Sequence, residues 1–238
     1  MSKPYRFTWS FSGVSTFENC PMSWAYEKYY KEVPYYESEA AKYGTLVHKA
    51  LEDRLKKDKP LAKKYAGYER YAKLIETEIK KGARGEFEKR MGITRDGRAV
   101  GWFDDEIYGR CAADVLLLKQ TKAAIYDYKT GGKIRHKDLD QLRLGCIFTL
   151  AYYPMLQEFQ VRNIWVKHGK VTPTGENGKF TKRELVEWYE DEYKPRVNRM
   201  EKIVEVEAFD YRPNPLCGWC GANRLGLCAS ASCEYKGD

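Results

Sequence analysis

The chain has 238 residues, a hydrophobic content of 43% and a net charge of +8 at pH 7. This length favours one large domain, and the apolar content suffices for a core that does not depend on the seven cysteines. We find no apolar run near the ~20 residues that a membrane span needs, and the N-terminus lacks the apolar core of a signal peptide. We therefore expect a cytoplasmic protein, in which cysteines favour metal binding over disulfides. The basic charge suits either a polyanionic partner, nucleic acid first, or an ordinary lysine-rich solvated surface.

The N-terminal part, residues 12–85, is predicted to be helical. Ser15 and Glu18 have the spacing of a capping box, which predicts a helix over about 15–30 that contains Cys20. A second helix is predicted over 40–57 and a third, very polar one over 62–81. Lysines and arginines crowd residues 54–90 and are mixed with tyrosines at positions 65, 68 and 71. This pattern indicates either a solvated helical face or a surface that follows phosphates.

Residues 86–170 change to short segments of β character, with turn residues at 96–97, 104–105 and 119–122. A helix follows the glycine pair 131–132, and residues 159–169 form another predicted strand. In the C-terminal part, residues 181–238, Thr181 and Glu184 form a capping box that opens a helix to about 203, kinked at Pro195. The order predicts a single domain over 1–238 of the α/β (α+β) class, with a mixed sheet flanked by helices.

The segment IYDYKTGG, residues 125–132, carries the clearest chemical signal. Because side chains alternate along a strand, Asp127 and Lys129 lie on the same face. Asp114 is the one charged residue between Cys111 and Leu118, and a buried carboxylate is costly unless it binds a cation or is paired. Two carboxylates and a lysine suit Mg²⁺- or Mn²⁺-dependent phosphodiester cleavage. The alternative is a salt bridge of Lys129 with Asp114 or Asp127.

Two further residues bear on this site. His48 is one of three histidines and shares the apolar stripe of the second helix with Leu51 and Leu55. It is either a core histidine or a third, softer metal ligand that would favour Mn²⁺. Gln141 opens the helix after the DxK strand, where it either reaches a phosphate or base or remains a surface residue.

Taken in order, six segments resemble the RecB-like branch of the PD-(D/E)xK nuclease superfamily: SFSGVSTFENCPMSWAYEKYY, YGTLVHKALED, GRCAAD, IYDYKTGG, DQLRLG and the cysteine-rich tail. They span nearly the whole chain. The resemblance implies a restriction-endonuclease-like core and a metal-dependent nuclease that leaves 5′-phosphate ends. It assigns the metal-ligand role to four residues: His48, Asp114, Asp127 and the carbonyl of Tyr128. It makes Lys129 the catalytic lysine and Gln141 the motif glutamine.

The chain also departs from the family pattern. Ala113 stands where the family has a proline, and Gly145 stands where a tyrosine usually follows the glutamine. Tyr152 or Tyr153 is a candidate substitute for that tyrosine. Another acid before the sheet is expected from either Glu86 or Glu88, and the sequence does not choose between them.

The tail contains Cys217, Cys220, Cys228 and Cys233. In some RecB-like nucleases, including CRISPR-adaptation and AddAB-type enzymes, one N-terminal and three C-terminal cysteines hold a [4Fe–4S] cluster. This resemblance implies a cluster on Cys20, Cys217 and Cys220, with Cys228 favoured over Cys233 as the fourth ligand. The alternatives are Zn²⁺ on the four tail cysteines and unliganded thiols. Cys111 and Cys146 are predicted to be core residues.

The leading functional hypothesis is an exonuclease that acts on linear or single-stranded DNA in recombination, repair or replication. The alternatives are a non-catalytic nucleic-acid-binding module with a structural metal, and a CRISPR-adaptation nuclease subunit. DNA is the expected partner, and the resemblance leaves room for a homo-oligomer or for a recombination or replication protein.

Overall fold

The computed structural model describes residues 5–134, 139–175 and 177–229. The α-helices in these ranges are α1 (Phe11–Asn19), α2 (Pro21–Trp24), α3 (Glu39–Lys57), α4 (Glu69–Lys80), α5 (Leu139–Tyr152), α6 (Lys182–Trp188), α7 (Lys194–Glu205) and α8 (Gly221–Arg224). Two 3₁₀ segments, Lys63–Tyr68 and Pro215–Trp219, and two π-helical segments, Ala25–Tyr29 and Tyr189–Tyr193, accompany them. The strands are β1 (Arg84–Ile93), β2 (Ala99–Val100), β3 (Gly109–Lys119), β4 (Lys122–Lys129), β5 (Glu158–Trp165), β6 (Lys170–Pro173) and β7 (Lys179–Thr181).

The chain divides into two compact units, which we describe separately. One combines the N-terminal segment 1–38 with the C-terminal segment 191–238, and the other is the continuous segment 39–190. The first unit combines the N-terminal and C-terminal segments, and the second contains the sheet. The single-domain organisation stays a prediction.

The central sheet belongs to the second unit and has the order β2-β1-β3-β4-β5-β6, with β7 also paired to β5. Strands β1, β3 and β4 are successive antiparallel neighbours, β2 pairs with the other edge of β1, and β5 runs parallel to β4. A parallel neighbour requires a crossover connection, and α5 supplies it. The predicted α/β class with a mixed sheet and flanking helices is confirmed.

Helices cover both faces of the sheet. Val47 and Leu51 of α3 and Ile75 of α4 pack with Val115 and Tyr126 of the sheet in one buried cluster. On the other face α5 lies very close to β4, because a Cβ at Gly145 would lie 3.3 Å from Ile125 Cδ1. A side chain at this position would require Ile125 to move, which is consistent with the glycine found there.

The tyrosines of the third predicted helix are mostly buried rather than exposed. Tyr65 and Tyr71 are buried in the same cluster, and Tyr68 shares a hydrogen bond of 2.6 Å with Tyr43. The helical region itself is a 3₁₀ segment followed by α4. A row of aromatic stacking sites for nucleic acid is therefore wrong for this segment.

The predicted N-terminal helix over 15–30 is also wrong in its bounds. Ser10, whose side chain accepts the Gly13 N–H, caps α1, and the helix stops before Cys20. Cys20 is extended, with φ −160° and ψ 105°, and Pro21 begins α2. The cause is local, since a residue before proline is pushed out of the helical region. Cys20 is consequently displayed at a break between two helices.

Helix α6 begins as predicted, because Thr181 and Glu184 form a complete capping box. The helical run continues through the π-helical segment into α7, with Pro195 in its first turn. There proline is tolerated, because the first N–H groups of a helix have no intrahelical acceptor. Among the described residues, no helix is long and apolar enough to span a membrane.

Candidate active site

The site begins where β3 and β4 separate. Their paired register ends at Val115–Tyr126. Beyond that point the Tyr128 N–H donates to Asp114 Oδ2 at 2.6 Å instead of to a backbone carbonyl. Asp114 thus replaces a missing ladder bond with its carboxylate. This position at a fork between strands explains why a lone carboxylate is tolerated in an otherwise apolar strand.

The other oxygen of Asp114 belongs to a cluster with His48 and Glu88. His48 Nδ1 lies 3.3 Å from Asp114 Oδ1 and 3.5 Å from Glu88 Oε1, and Nε2 lies 3.0 Å from the Tyr128 carbonyl oxygen. One ligand atom from each of His48, Glu88 and Asp114 lies within 4.8 Å of the other two. Burial alone would lower the pKa of His48, but hydrogen bonds to Asp114 and Glu88 outweigh it and raise the pKa to about 10. The protonated imidazole compensates two carboxylates.

Backbone geometry decides between Glu88 and Glu86. Glu88 has φ +47°, a left-handed value that is rare for residues other than glycine. This residue reverses the side-chain alternation of β1, so that Glu86 and Lys89 both lie on the α5 side, against Tyr153 and Tyr152 respectively. Glu88 instead joins His48. Of the two acids that the sequence left open, Glu88 is therefore the one that lies with His48 and Asp114.

A second group of side chains surrounds Asp127. Lys129 Nζ lies 3.0 Å from Asp127 Oδ2 and donates to Gln141 Oε1, also at 3.0 Å. Gln141 Nε2 donates to Asp127 Oδ1 at 3.1 Å, which closes a triangle. Burial, with a further contribution from the charge of Asp114, raises the pKa of Asp127 to about 7. Gln141 therefore holds the carboxylate and the ammonium in place and is not a free surface residue.

The donor set fits a hard divalent cation. Glu88 and Asp114 offer carboxylate oxygens, which Mg²⁺ and Mn²⁺ prefer. Glu88 Oε1 is buried without a hydrogen-bond partner of normal length in the described part of the chain, although such an atom usually has one. The predicted ligand set changes in one respect, because Asp127 pairs with Lys129 and Gln141, whereas Glu88 completes the three-residue cluster. Asp127 remains close enough for the charge of Asp114 to raise its pKa.

The tyrosines proposed as substitutes lie elsewhere. The Tyr152 hydroxyl accepts the Gly92 N–H at 3.0 Å and donates to the Val100 carbonyl, so it holds β1 and β2 together. Tyr153 donates to Glu86. Cys146 is buried, as predicted, and Cys111 is only half-buried. Burial, and secondarily the charges of Asp127 and Asp114, raise the pKa of Cys111 to about 12.

A cysteine-lined cavity lies in the unit formed by the chain ends. It has a volume of about 290 Å³, and four cysteines line it: Cys20, Cys217, Cys220 and Cys228. Three of these four sulfurs have a backbone N–H or a hydroxyl group at hydrogen-bonding distance. The Arg212 N–H reaches Cys20 Sγ at 3.5 Å, the Asn214 N–H reaches Cys217 Sγ at 3.3 Å, and Ser23 Oγ lies 3.3 Å from Cys220 Sγ. Donors of this kind stabilise thiolates.

The spacing of these sulfurs bears on the metal. Four thiolates around one Zn²⁺ at about 2.3 Å would lie about 3.8 Å apart. Among residues 5–134, 139–175 and 177–229, no three cysteine sulfurs lie within 4.8 Å of one another. The arrangement in the described chain is thus wider than a single zinc ion requires. Cys233 lies outside the described residues.

Comparison with known proteins agrees with this architecture. The crystal structure of SSO0001 has a TM-score of 0.51 with this chain at 15% identity, and the match covers 95% of this chain and 87% of that one. At this identity the likeness concerns the fold alone. No curated protein matches the sequence. The family model of the PD-(D/E)XK nuclease superfamily matches residues 8–225, and this superfamily implies a metal-dependent nuclease that acts on DNA. With Asp114, Asp127 and Lys129 at the fork of the sheet, the chain belongs to the PD-(D/E)XK nuclease superfamily.

Proposed function

We propose that this protein is a Mg²⁺- or Mn²⁺-dependent exonuclease that hydrolyses phosphodiester bonds at the ends of linear or single-stranded DNA. One observation carries the proposal: Asp114 contacts His48 through one oxygen and the Tyr128 N–H through the other, beside the Asp127–Lys129 pair. The net charge of +8 suits a polyanionic substrate. The resemblance to RecB-like nucleases supports action on ends in recombination, repair or replication. It also supports assembly with itself or with a protein of those pathways.

Each side chain has a role in this proposal. Glu88, Asp114, Asp127 and the Tyr128 carbonyl would hold the cation, with His48 as a further ligand once it loses its proton. A bound divalent cation supplies Lewis-acid polarisation of the phosphate and a more acidic water. Lys129, fixed by Asp127 and Gln141, donates hydrogen bonds toward the attacking water and the charge that develops on the phosphate. The geometry keeps the ammonium oriented before substrate arrives.

The experiment is digestion of end-labelled linear DNA, single- and double-stranded, beside a covalently closed circle, with Mg²⁺ or Mn²⁺. We expect loss of the linear strands and survival of the circle. Lys129→Met should lower the rate by about 10²-fold or more. Lys122→Met is the matched control, because Lys122 lies at the other end of β4 in an exposed pair with Glu158.

Three results would contradict the proposal. Equal cleavage by wild type, Asp127→Ala and Lys129→Met would remove these residues from the chemistry. Tight DNA binding without any metal-dependent cleavage would support the non-catalytic binding module instead. Rapid cutting of the closed circle would replace the exonuclease with an endonuclease.

We further propose that Cys20, Cys217, Cys220 and Cys228 hold a [4Fe–4S] cluster. The cavity that they line and the wide separation of their sulfurs support a cluster over a single zinc ion. The N–H groups aimed at Cys20 and Cys217 support thiolate ligands. Such a cluster would tie the two chain ends, and a ligand that binds only the folded state stabilises it. A cluster of this kind suits a reducing compartment, so we place the protein in the cytoplasm.

Anaerobically purified protein should be brown, absorb near ~400 nm and contain iron and acid-labile sulfide. Cys20→Ser and Cys228→Ser should both lose the colour and lower the melting temperature. Cys111→Ala is the control, because Cys111 lies outside the cavity. A colourless protein with one zinc ion per chain would overturn the cluster, and unchanged colour in Cys228→Ser would transfer the fourth ligand to Cys233.

A further inference from the structure

Arg90 of β1 and Arg110 of β3 lie against the ring of Trp102, which belongs to the loop between β2 and β3, and the three form one Arg90–Trp102–Arg110 cluster. The guanidinium carbon of Arg90 and that of Arg110 each lie 5.6 Å from the centroid of the Trp102 ring. Arg90 is exposed, and Arg110 and Trp102 are half-buried. Cations held over an indole face are attracted by its negative π surface, so Trp102 positions both charges.

Both arginines of the Arg90–Trp102–Arg110 cluster keep a charge that no carboxylate of the described chain neutralises. Neither guanidinium pairs with a carboxylate in the part of the chain that the structure describes, and Arg110 Nε is buried without a hydrogen-bond partner there. Acids on the same loop are engaged elsewhere. Asp104 accepts the Glu106 N–H at 2.8 Å, and Glu106 lies 3.4 Å from Arg98. Two unneutralised arginines in fixed positions are typical of phosphate recognition.

The Arg90–Trp102–Arg110 cluster lies on the same face of the sheet as His48, farther along β1 and β3. Arg90 pairs with Ala112 in the β1–β3 register, two positions from the level at which Glu88 faces Asp114. Two strand residues span about 7 Å. Lys89 and Met91 contact Tyr152 and Thr149 of α5, so Arg90 between them lies on the opposite face. His48 on α3 approaches the sheet from that face, because its neighbour Val47 packs there.

An exposed aromatic residue ends this path. Gly92 allows residues 100–107 to fold back over β1, because a Cβ there would lie 2.9 Å from the Val100 carbonyl oxygen. The fold-back presents Phe103 with 81% of its surface exposed. Phe103 directly follows Trp102 in the chain, and an exposed aromatic residue combined with fixed arginines is the pattern of single-strand binding, in which bases stack and phosphates pair with cations.

We propose that Arg90, Trp102, Arg110 and Phe103 form a track that binds one DNA strand next to the scissile phosphate. Arg90 and Arg110 bind phosphates, Trp102 holds them in place, and Phe103 stacks on an unpaired base. This proposal rests on the proposed nuclease function and narrows its substrate to a single strand that leads away from the metal site along β1 and β3.

The test measures binding of a fluorescent oligothymidine by anisotropy at several salt concentrations. The Lys129→Met protein is the background, so that the DNA is not consumed. Arg90→Ala with Arg110→Ala should weaken binding about 10-fold or more and lower the salt slope by about 1.4, since each phosphate contact to a single strand contributes about 0.7. Phe103→Ala should weaken binding about 5- to 10-fold with the slope unchanged.

Arg183→Ala is the matched control, because it removes one charge from an exposed pair with Glu187 on α6. It should change neither affinity nor slope. Unchanged affinity in the double arginine variant, confirmed as folded by circular dichroism, would overturn the track. Weaker binding of a blunt duplex by the double arginine variant, with unchanged binding of the single strand, would also overturn the track.

The nuclease function is tested separately. Wild-type protein is incubated with Mn²⁺ and bis(p-nitrophenyl) phosphate, a small diester that needs no strand track. Absence of hydrolysis alongside weakened binding in the arginine variants would sink the proposed nuclease function while leaving the track intact.

Discussion

The Asp114 carboxylate accepts the Tyr128 N–H at 2.6 Å, at the point where the β3–β4 ladder ends. The same side chain lies 3.3 Å from His48 Nδ1 through its other oxygen. One residue therefore closes the fork of the sheet and belongs to the cluster of His48, Glu88 and Asp114, which could hold a metal ion. Its structural and chemical roles can be separated by experiment.

We predict that Asp114→Asn and Asp114→Ala differ in stability but not in activity. The asparagine oxygen can still accept the Tyr128 N–H, whereas alanine leaves it unpaired at a cost of about 1–3 kcal/mol. Both variants lose a charged ligand, so both should lose metal-dependent cleavage. Urea denaturation and a cleavage assay measure the two effects. Full activity in Asp114→Asn would reduce Asp114 to a structural residue.

We predict that Glu88→Gln and Glu86→Gln differ in metal affinity. Glu88 lies within 4.8 Å of the other two cluster ligands, whereas Glu86 pairs with Lys89 and Tyr153 on the opposite side of the strand. Titration calorimetry with Mn²⁺ should show affinity reduced at least about 10-fold in Glu88→Gln. Glu86→Gln should bind as wild type does. The reverse result would show that the left-handed residue does not select the ligand.

We predict that Glu88→Gly stabilises the metal-free protein relative to Glu88→Ala. Glu88 has φ +47°, and glycine adopts that conformation without the strain of about 1 kcal/mol that a Cβ causes. Both variants should fail to cleave DNA. Thermal denaturation should place glycine above alanine by a few degrees. A lower melting temperature for glycine would mean that the strain is relieved in solution.

We predict that the metal-free protein loses stability as the pH rises from 4 to 7. Burial raises the pKa of Asp127 from 3.8 to about 7, so the folded state binds more protons than the unfolded state between these values. The loss of unfolding free energy that Asp127 causes is complete above pH 7. It is at most about 4 kcal/mol, at about 1.4 kcal/mol per pKa unit. Measured relative to the wild type, the free energy of unfolding of Asp127→Asn should be higher at pH 8 than at pH 5. Denaturation curves with parallel pH dependence for both proteins would contradict this.

Much of the site was predictable from local pattern. The DxK strand, the isolated Asp114 and the cysteine spacing are local in sequence, and alternation along a strand places Asp127 with Lys129. His48 gave the wrong impression of a core histidine, because its stripe on α3 is apolar. Only the approach of α3 to the forked strands provides its carboxylate partners.

The sequence by itself determined the class of fold, the DxK strand and the presence of a thiol-rich tail, because hydrophobic periodicity and residue chemistry act over a few neighbours. The tertiary structure decided which acid lies with His48 and Asp114. The left-handed backbone at Glu88 reverses the alternation of side chains along β1, whereas the sequence pattern predicts a regular strand. The meeting of Cys20 with cysteines nearly two hundred residues away likewise depends on long-range packing, which no local pattern specifies.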